Sequence, residues 1–318
     1  MKVGFIGLGN VGGKLAGSLL RNGFNLTIHD LNKSAGKSLL DNGAEWAETP
    51  KDLALNVDVV ITCLPSPEIS ARVMEADDGV LAGLEPGKTW LEMSTTDEAE
   101  VKRLQVRVES KGASAMDSPV SGGCHRAATG NIAIFAGGER ETFERVLPIL
   151  TVMGRQVLHT GPIGSASVLK VVTNYLASVH LAALSEALMV SKQAGMDLNT
   201  AYEAIRISSG NSFVHETESQ VILNGSRDIN FTMDLVIKDM GLFDSLADRI
   251  GVPVEISPLV LDIFRDGQER YGPREWSPNI VKRMEEACGS ELLAPGFPAE
   301  MVDTEAEERG AEVVVRGR

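Results

Sequence analysis

Apolar positions follow one rhythm in the first half of the chain and another in the second. Lys2 to Gly7 is an apolar run too short for a helix, and it leads into Gly7-Leu8-Gly9-Asn10-Val11-Gly12. From Gly13 to Asn22, Leu15, Ala16, Leu19 and Leu20 recur at helical spacing, and the pattern stops before Gly23. Further short apolar runs follow at Phe24–Ile28, Val57–Leu64, Thr89–Met93, Ala113–Asp117, Asn131–Ala136 and Gln156–His159, separated by longer stretches such as the helical Lys51–Leu55 region. Alternation of this kind predicts an α/β fold, a doubly wound and mostly parallel sheet covered on both faces. In such sheets ligands sit beyond the carboxyl ends of the strands. Polar and Gly/Pro clusters fall at those ends: Leu64-Pro65-Ser66-Pro67, Ser94-Thr95-Thr96 and Ser118-Pro119-Val120-Ser121-Gly122-Gly123.

Past Gly164 the rhythm becomes helical. Ser165 to about Ala194 predicts one uninterrupted helix of about 45 Å at 1.5 Å per residue, long enough to leave one domain and enter another. Leu198–Ile207, Asp234–Ile250, Ser257–Gln268 and Pro278–Ala287 continue the pattern without convincing strands. The expected plan is a Rossmann-type domain over residues 1–162, a bridging helix over 163–194 and an all-α domain over 195–293. Residues 294–318, rich in Glu and poor in aromatics, read as a mobile tail, although Val313-Val314-Val315 could add to a sheet edge in an oligomer.

The glycine turn changes a fold expectation into a chemical one. Strand, Gly-x-Gly-x-x-Gly and helix is the context that binds a dinucleotide: Gly7 permits the turn, Gly9 lets backbone approach a pyrophosphate, and Gly12 lets helix and strand pack closely. The second run ends in His29-Asp30, 18 residues beyond Gly12. An acid there accepts hydrogen bonds from the adenosine ribose and repels a 2'-phosphate, which favours NAD over NADP. A net charge of -14 argues against nucleic-acid or anionic-membrane surfaces. Three well-separated cysteines, Cys63, Cys124 and Cys288, suggest neither a disulfide framework nor a thiolate zinc site. With no apolar run of about 20 residues and no signal-peptide plan, a cytoplasmic location is expected. The histidines and acids show no metal-ligand spacing, so no metal is expected.

Four stretches together resemble the β-hydroxyacid dehydrogenase family, whose familiar members act on 3-hydroxyisobutyrate and related acids. They are Gly4 to Gly12, Asp117-Ser118-Pro119-Val120-Ser121-Gly122-Gly123, Gly161 to Asn174, and Lys238-Asp239-Met240-Gly241-Leu242. The resemblance covers about residues 1 to 290. It implies Lys170 as general acid/base for the hydroxyl proton, with its ammonium facing negative charge on the oxygen during reduction. Asn174, one helical turn on, would hydrogen-bond substrate. Leu64, Pro65 and Thr95 would line the nicotinamide and its ribose, with Lys238 beside the nicotinamide or substrate and Phe231 near the same ring.

Ser121-Gly122-Gly123 suits a carboxylate, because backbone without side chains lets N–H groups converge on an anion. This chain departs from its relatives by carrying His125-Arg126 where Gly-Ala is common, and Thr173 where many carry Asn. An Arg and a His beside the carboxylate turn would accept a second anionic group, as in a dicarboxylate, phosphonate-like or sulfonate-bearing hydroxy acid; the alternative is that they face solvent or a partner subunit. Cys124 reads as a small apolar filler. Rival readings are an imine-reductase-like enzyme, against which Lys170 argues, and a non-catalytic nucleotide-sensing or scaffold protein. A helical second domain of this type predicts a homodimer or homotetramer.

Overall fold

The computed structural model describes residues 1–316. Its strands are β1 (Lys2–Ile6), β2 (Asn25–His29), β3 (Glu45–Trp46), β4 (Val59–Thr62), β5 (Thr89–Glu92), β6 (Ser114–Asp117), β7 (Val120–Ser121), β8 (Ile132–Gly137), β9 (Gly154–Gly161) and β10 (Ala311–Glu312). They form one sheet in the order β10-β9-β8-β6-β5-β4-β1-β2-β3, with β7 paired to β8. Pairing is parallel from β3 through β6 and from β8 to β10, and antiparallel where β8 meets β6 and β7. The chain thus forms the predicted α/β fold: a Rossmann-type, mostly parallel sheet, a long helix, and a helical remainder.

The central strands are mostly apolar because both their faces are buried. Val3, Phe5, Val59, Ile61, Leu91 and Met116 point to one side, where they meet Leu15 and Leu19 of the helix Gly12–Arg21 and Phe143, Val146 and Leu150 of the helix Arg140–Met153. Their neighbours Ile6, Val60, Trp90 and Ala115 point to the other, against Leu53, Met74, Val101 and Leu104 of the intervening helices. Strand period 2 distributes the core between two layers. Each large side chain so buried contributes about 1.5–3 kcal/mol.

The chain divides into two compact units, one comprising Met1–Lys170 with the stretch from Asp303 onward, the other Val171–Val302. The division falls inside the helix Ser165–Gln193, after Lys170. By length and composition this helix is apolar enough to cross a membrane, with a mean hydropathy of 1.3 over its best window. Instead, Leu181, Leu184, Leu188 and Met189 are buried in the core of the helical unit, with Val214, Ile222, Val236, Met240 and Phe264.

Two expectations need correction. The helix Phe213–Asn224 is absent from the sequence reading because its inner face is partly polar: His215 and Ser219 are buried, and the ring of His215 bonds Tyr202 O and Ser219 Oγ, both at 2.9 Å. The tail, expected to stand free, packs on the N-terminal unit from Asp303 to Val313. Its acids find arginines on the N-terminal unit, and β10 pairs with β9 of the same chain, Val313 N donating to Val157 O at 2.8 Å.

Candidate active site

Strands β2, β1, β4, β5 and β6 run parallel, so their carboxyl ends share one edge, and every sequence-predicted site residue of the N-terminal unit except Lys170 follows one of those ends. The strand order reverses direction between β1 and β4, where a crevice for a ligand opens in doubly wound sheets. Beyond β1, Gly7 has φ +97°, and a methyl on Gly12 would lie 2.0 Å from Gly7 O. A methyl on Gly9 would meet nothing within 4 Å. The first and third glycines therefore serve packing, and the second presents open backbone. No side chain caps the helix Gly12–Arg21, whose first turn carries no acid, so its N–H groups suit a diphosphate. Leu8 is buried, whereas Gly9 and Asn10 are exposed and Val11 half-buried. Asp30 sits beyond β2 and accepts from Leu8 N and Asn32 N, both at 2.7 Å, which ties the acid to the glycine turn.

Leu64-Pro65 and Thr95 emerge from neighbouring strands β4 and β5 and are joined by a buried network. Ser94 Oγ accepts from Leu64 N at 2.7 Å, and Ser94 N donates to Glu92 Oε1 at 2.8 Å. Glu92 is 1% exposed, and burial raises its carboxyl above the usual carboxylate range despite hydrogen bonds from Ser94. No pattern along the chain marks this acid, since it reads as an ordinary strand residue.

Beyond β6, the turn Ser121-Gly122-Gly123 has φ +128° at Gly122 and +87° at Gly123, conformations that glycine alone adopts without strain. His125 folds back on it: a methyl on Gly123 would lie 2.9 Å from His125 Cε1. Burial first, then the charges of Arg126 and Lys14, push His125 below its ordinary value against the opposing effect of Asp303, so the imidazole is neutral at pH 7. Arg126 lies alongside Gly122 and pairs with Glu305 at 3.0 Å. Its expected role as a ready cation for substrate has to contend with that carboxylate.

Asp117, at the last position of β6, is fully buried and accepts from Gly164 N at 2.8 Å, Ser167 N at 2.6 Å and Ser167 Oγ at 2.8 Å. Burial raises its carboxyl and these donors oppose it, leaving it above the ordinary range. The carboxylate fastens the start of the helix Ser165–Gln193 to the strand that leads into the glycine turn. Lys170 follows one turn later and is 8% exposed. Asp117 opens the Asp117–Gly123 motif, yet its task was invisible because its partners are 47 and 50 residues away.

Asn174 belongs to the helical unit, four residues past Lys170 on the same helix. Its Nδ2 donates to Asp239 Oδ2 at 2.5 Å, and Lys238 Nζ lies 2.7 Å from Asp239 Oδ1. Asp239, 2% exposed, thus joins two predicted site residues. A carboxylate only accepts, so the Asn174 amide turns its NH2 toward Asp239 and its Oδ1 away. Phe231 packs at the border of the helical core.

Strand order, glycine turn and Asp30 together define an α/β protein that binds a nicotinamide dinucleotide, and the described residues fit that cofactor. Comparison with known families narrows the class. Residues 2–161 match the NAD binding domain of 6-phosphogluconate dehydrogenase, and residues 164–283 match the NAD-binding of NADP-dependent 3-hydroxyisobutyrate dehydrogenase. The chain is 31% identical over 290 residues to 2-(hydroxymethyl)glutarate dehydrogenase of Eubacterium barkeri, covering 91% of this chain and 96% of that protein. It is 32% identical over 293 residues to 3-sulfolactaldehyde reductase of Escherichia coli, covering 90% and 97%. A crystal structure described as 3-hydroxyisobutyrate dehydrogenase from Salmonella typhimurium superposes with a TM-score of 0.81 at 28% identity, over 89% of this chain and 99% of that one. The chain belongs to the β-hydroxyacid dehydrogenase family, of the 3-hydroxyisobutyrate dehydrogenase type.

Proposed function

We propose that this NAD-dependent hydroxyacid dehydrogenase reversibly oxidises a small β-hydroxy acid to its semialdehyde or keto acid, with Lys170 as general acid/base. The observation that carries the proposal is a buried lysine on a helix whose first turn is fastened by Asp117 to the strand that leads into Ser121-Gly122-Gly123. Bound NAD supplies the hydride acceptor, and NADH the donor in reverse. In the oxidative direction Lys170 takes up the hydroxyl proton; in reduction its ammonium returns the proton and faces the charge developing on the oxygen. The backbone N–H groups and hydroxyl of Ser121-Gly122-Gly123 hold the substrate carboxylate, and Asn174, aimed by Asp239, hydrogen-bonds the substrate.

A compact β-hydroxy acid fits this reading best. A second anionic group, of the kind named in the 2-(hydroxymethyl)glutarate dehydrogenase from Eubacterium barkeri, would reach Arg126 only in competition with Glu305. Assembly as a homodimer or homotetramer through the helical unit belongs to the same reading, supported by the exposure of Leu176, Val190, Ile256 and Leu259; light scattering decides it. A cytoplasmic location belongs to the same reading, supported by three cysteines that are odd in number and far apart in the sequence.

Lys170→Ala is expected to lower turnover by about 10²–10⁴ while NADH still binds. NADH absorbance followed with a panel of hydroxy acids provides the test. Native-like turnover by the variant would overturn the assignment; turnover of imines and of no hydroxy acid would favour the imine-reductase-like reading.

A further inference from the structure

Both family models end before the last stretch of the chain, the second at residue 283. From Asp303 that stretch lies along the N-terminal unit and reaches residues next to the carboxylate turn. Asp303 Oδ2 accepts from Thr129 Oγ1 at 2.5 Å and from Asn131 Nδ2 at 2.8 Å, and Glu305 O accepts from the same Asn131 amide at 3.2 Å. Asn131 is 4% exposed. Glu305 pairs with Arg126, Glu307 with Arg21, Glu308 with Arg155, and Glu312 with Arg140. Gly310 N donates to Thr151 O at 2.7 Å, and a methyl on Gly310 would sit 1.9 Å from Gly154 O, so the backbones approach as closely as bare glycine allows.

We propose that this stretch is a positioning strap for the carboxylate turn, with Asp303 as its principal positioning residue; the inference rests on reading Ser121-Gly122-Gly123 as the substrate-carboxylate site. The helix that leaves the turn, Gly123–Thr129, has only seven residues and no side-chain cap at its start. A helix this short is unstable without outside support. Before the helix, β7 holds the turn by pairing Val120 with Ile134 and Ser121 with Ala133. After it, Asp303 holds Thr129 and Asn131. The turn's two glycines have no side chains of their own to fix them, so the setting of their N–H groups depends on those two anchors.

The four ion pairs are exposed and individually weak; they align the strap along the surface. Asp303 acts at the partly buried point, where burial works to raise its carboxyl but hydrogen bonds from Thr129, Asn131 and Glu305 N, with the charge of Arg126, hold it below the ordinary range. Strand β10 fixes the far end.

The test compares the full chain with a chain ended after Val302, with Asp303→Ala, and with Glu312→Gln as a control that removes the Arg140 pair without touching the turn. Hydrogen exchange of the backbone amides of residues 121–131, measured without substrate, is expected to accelerate at least about tenfold in the shortened chain and in Asp303→Ala, and to stay unchanged in Glu312→Gln. The KM for whichever hydroxy acid the intact protein turns over should rise about tenfold in the first two variants, with kcat and NADH affinity close to native. Unchanged exchange over 121–131 in both variants would overturn the strap. So would a loss of NADH binding equal to the loss of substrate binding, since that would mark general loosening of the unit. An intact protein that turns over no hydroxy acid would refute the proposed function, while the exchange comparison would still decide the strap.

Discussion

Asp117→Asn separates the fastening of the long helix from the chemistry at Lys170. The carboxylate receives three donors, two from backbone and one from Ser167 Oγ. An asparagine keeps one acceptor and puts an NH2 against a group that also donates. Charge-assisted bonds are worth about 1.5–3 kcal/mol each. Part of the loss is recovered, because the variant no longer buries a charge whose desolvation already pushes the native carboxyl upward. A net cost of about 2–4 kcal/mol is expected, which lowers the melting midpoint by about 4–16 °C at about 2–4 °C per kcal/mol. Lys170 lies three residues beyond Ser167, so a displaced first turn displaces the proton-transfer group, and kcat should fall about 10- to 100-fold. NADH affinity should hold, because Gly7 to Gly12 and Asp30 follow β1 and β2, away from β6. Thermal melting, steady-state turnover and NADH titration measure the three quantities. Ser167→Ala, which removes only the hydroxyl contact, should give about a third of the stability loss. An Asp117→Asn protein that melts and turns over like the native one would show that the carboxylate is not what sets the helix.

Two further outcomes are expected. Asp30→Ala should relax the preference against NADP, since it removes the charge that repels a 2'-phosphate; an unaltered ratio of NADP to NAD turnover would mean that another group selects the cofactor. Glu218, whose Oε2 has no hydrogen-bond partner among the described residues, is pushed up to about 8 by burial. A carboxyl with a raised folded value binds its proton more tightly when folded, so its contribution is fully present below about pH 4.5 and is lost as pH rises toward 8. Melting curves at pH 5.5 and 8.5 should therefore diverge for the native protein by about 2 kcal/mol more than for Glu218→Gln, after allowance for partial exposure; parallel behaviour would refute the assignment.

What could be read from the chain alone was what is local. The Gly7–Gly12 turn, the period-2 strands and the long helix announce themselves because turn chemistry and periodicity act over a few residues. Asp117, Glu92 and Asp239 did not, because each acts through tertiary contacts that no periodicity records. The tail failed for a related reason. Glu305, Glu307, Glu308 and Glu312 look like a solvated acidic run until Arg126, Arg21, Arg155 and Arg140 are brought beside them, and those arginines lie 153 to 286 residues away. His125 and Arg126 stand side by side in the sequence, but the sequence could not show that the tail reaches Arg126 and places Asp303 near His125.

Strand β10 also sets a timetable for synthesis. Because Ala311–Glu312 pairs in parallel with Gln156–Val157, that part of the β9 edge stays unpaired until the ribosome has added about 150 further residues, roughly ten seconds or more at ordinary elongation rates. Throughout that interval β9 stands as an open sheet edge, the feature most prone to pair with a neighbouring nascent chain. Yield on expression should therefore depend on how quickly the last residues arrive, and rare codons placed late in the message would cost more soluble protein than the same codons placed early.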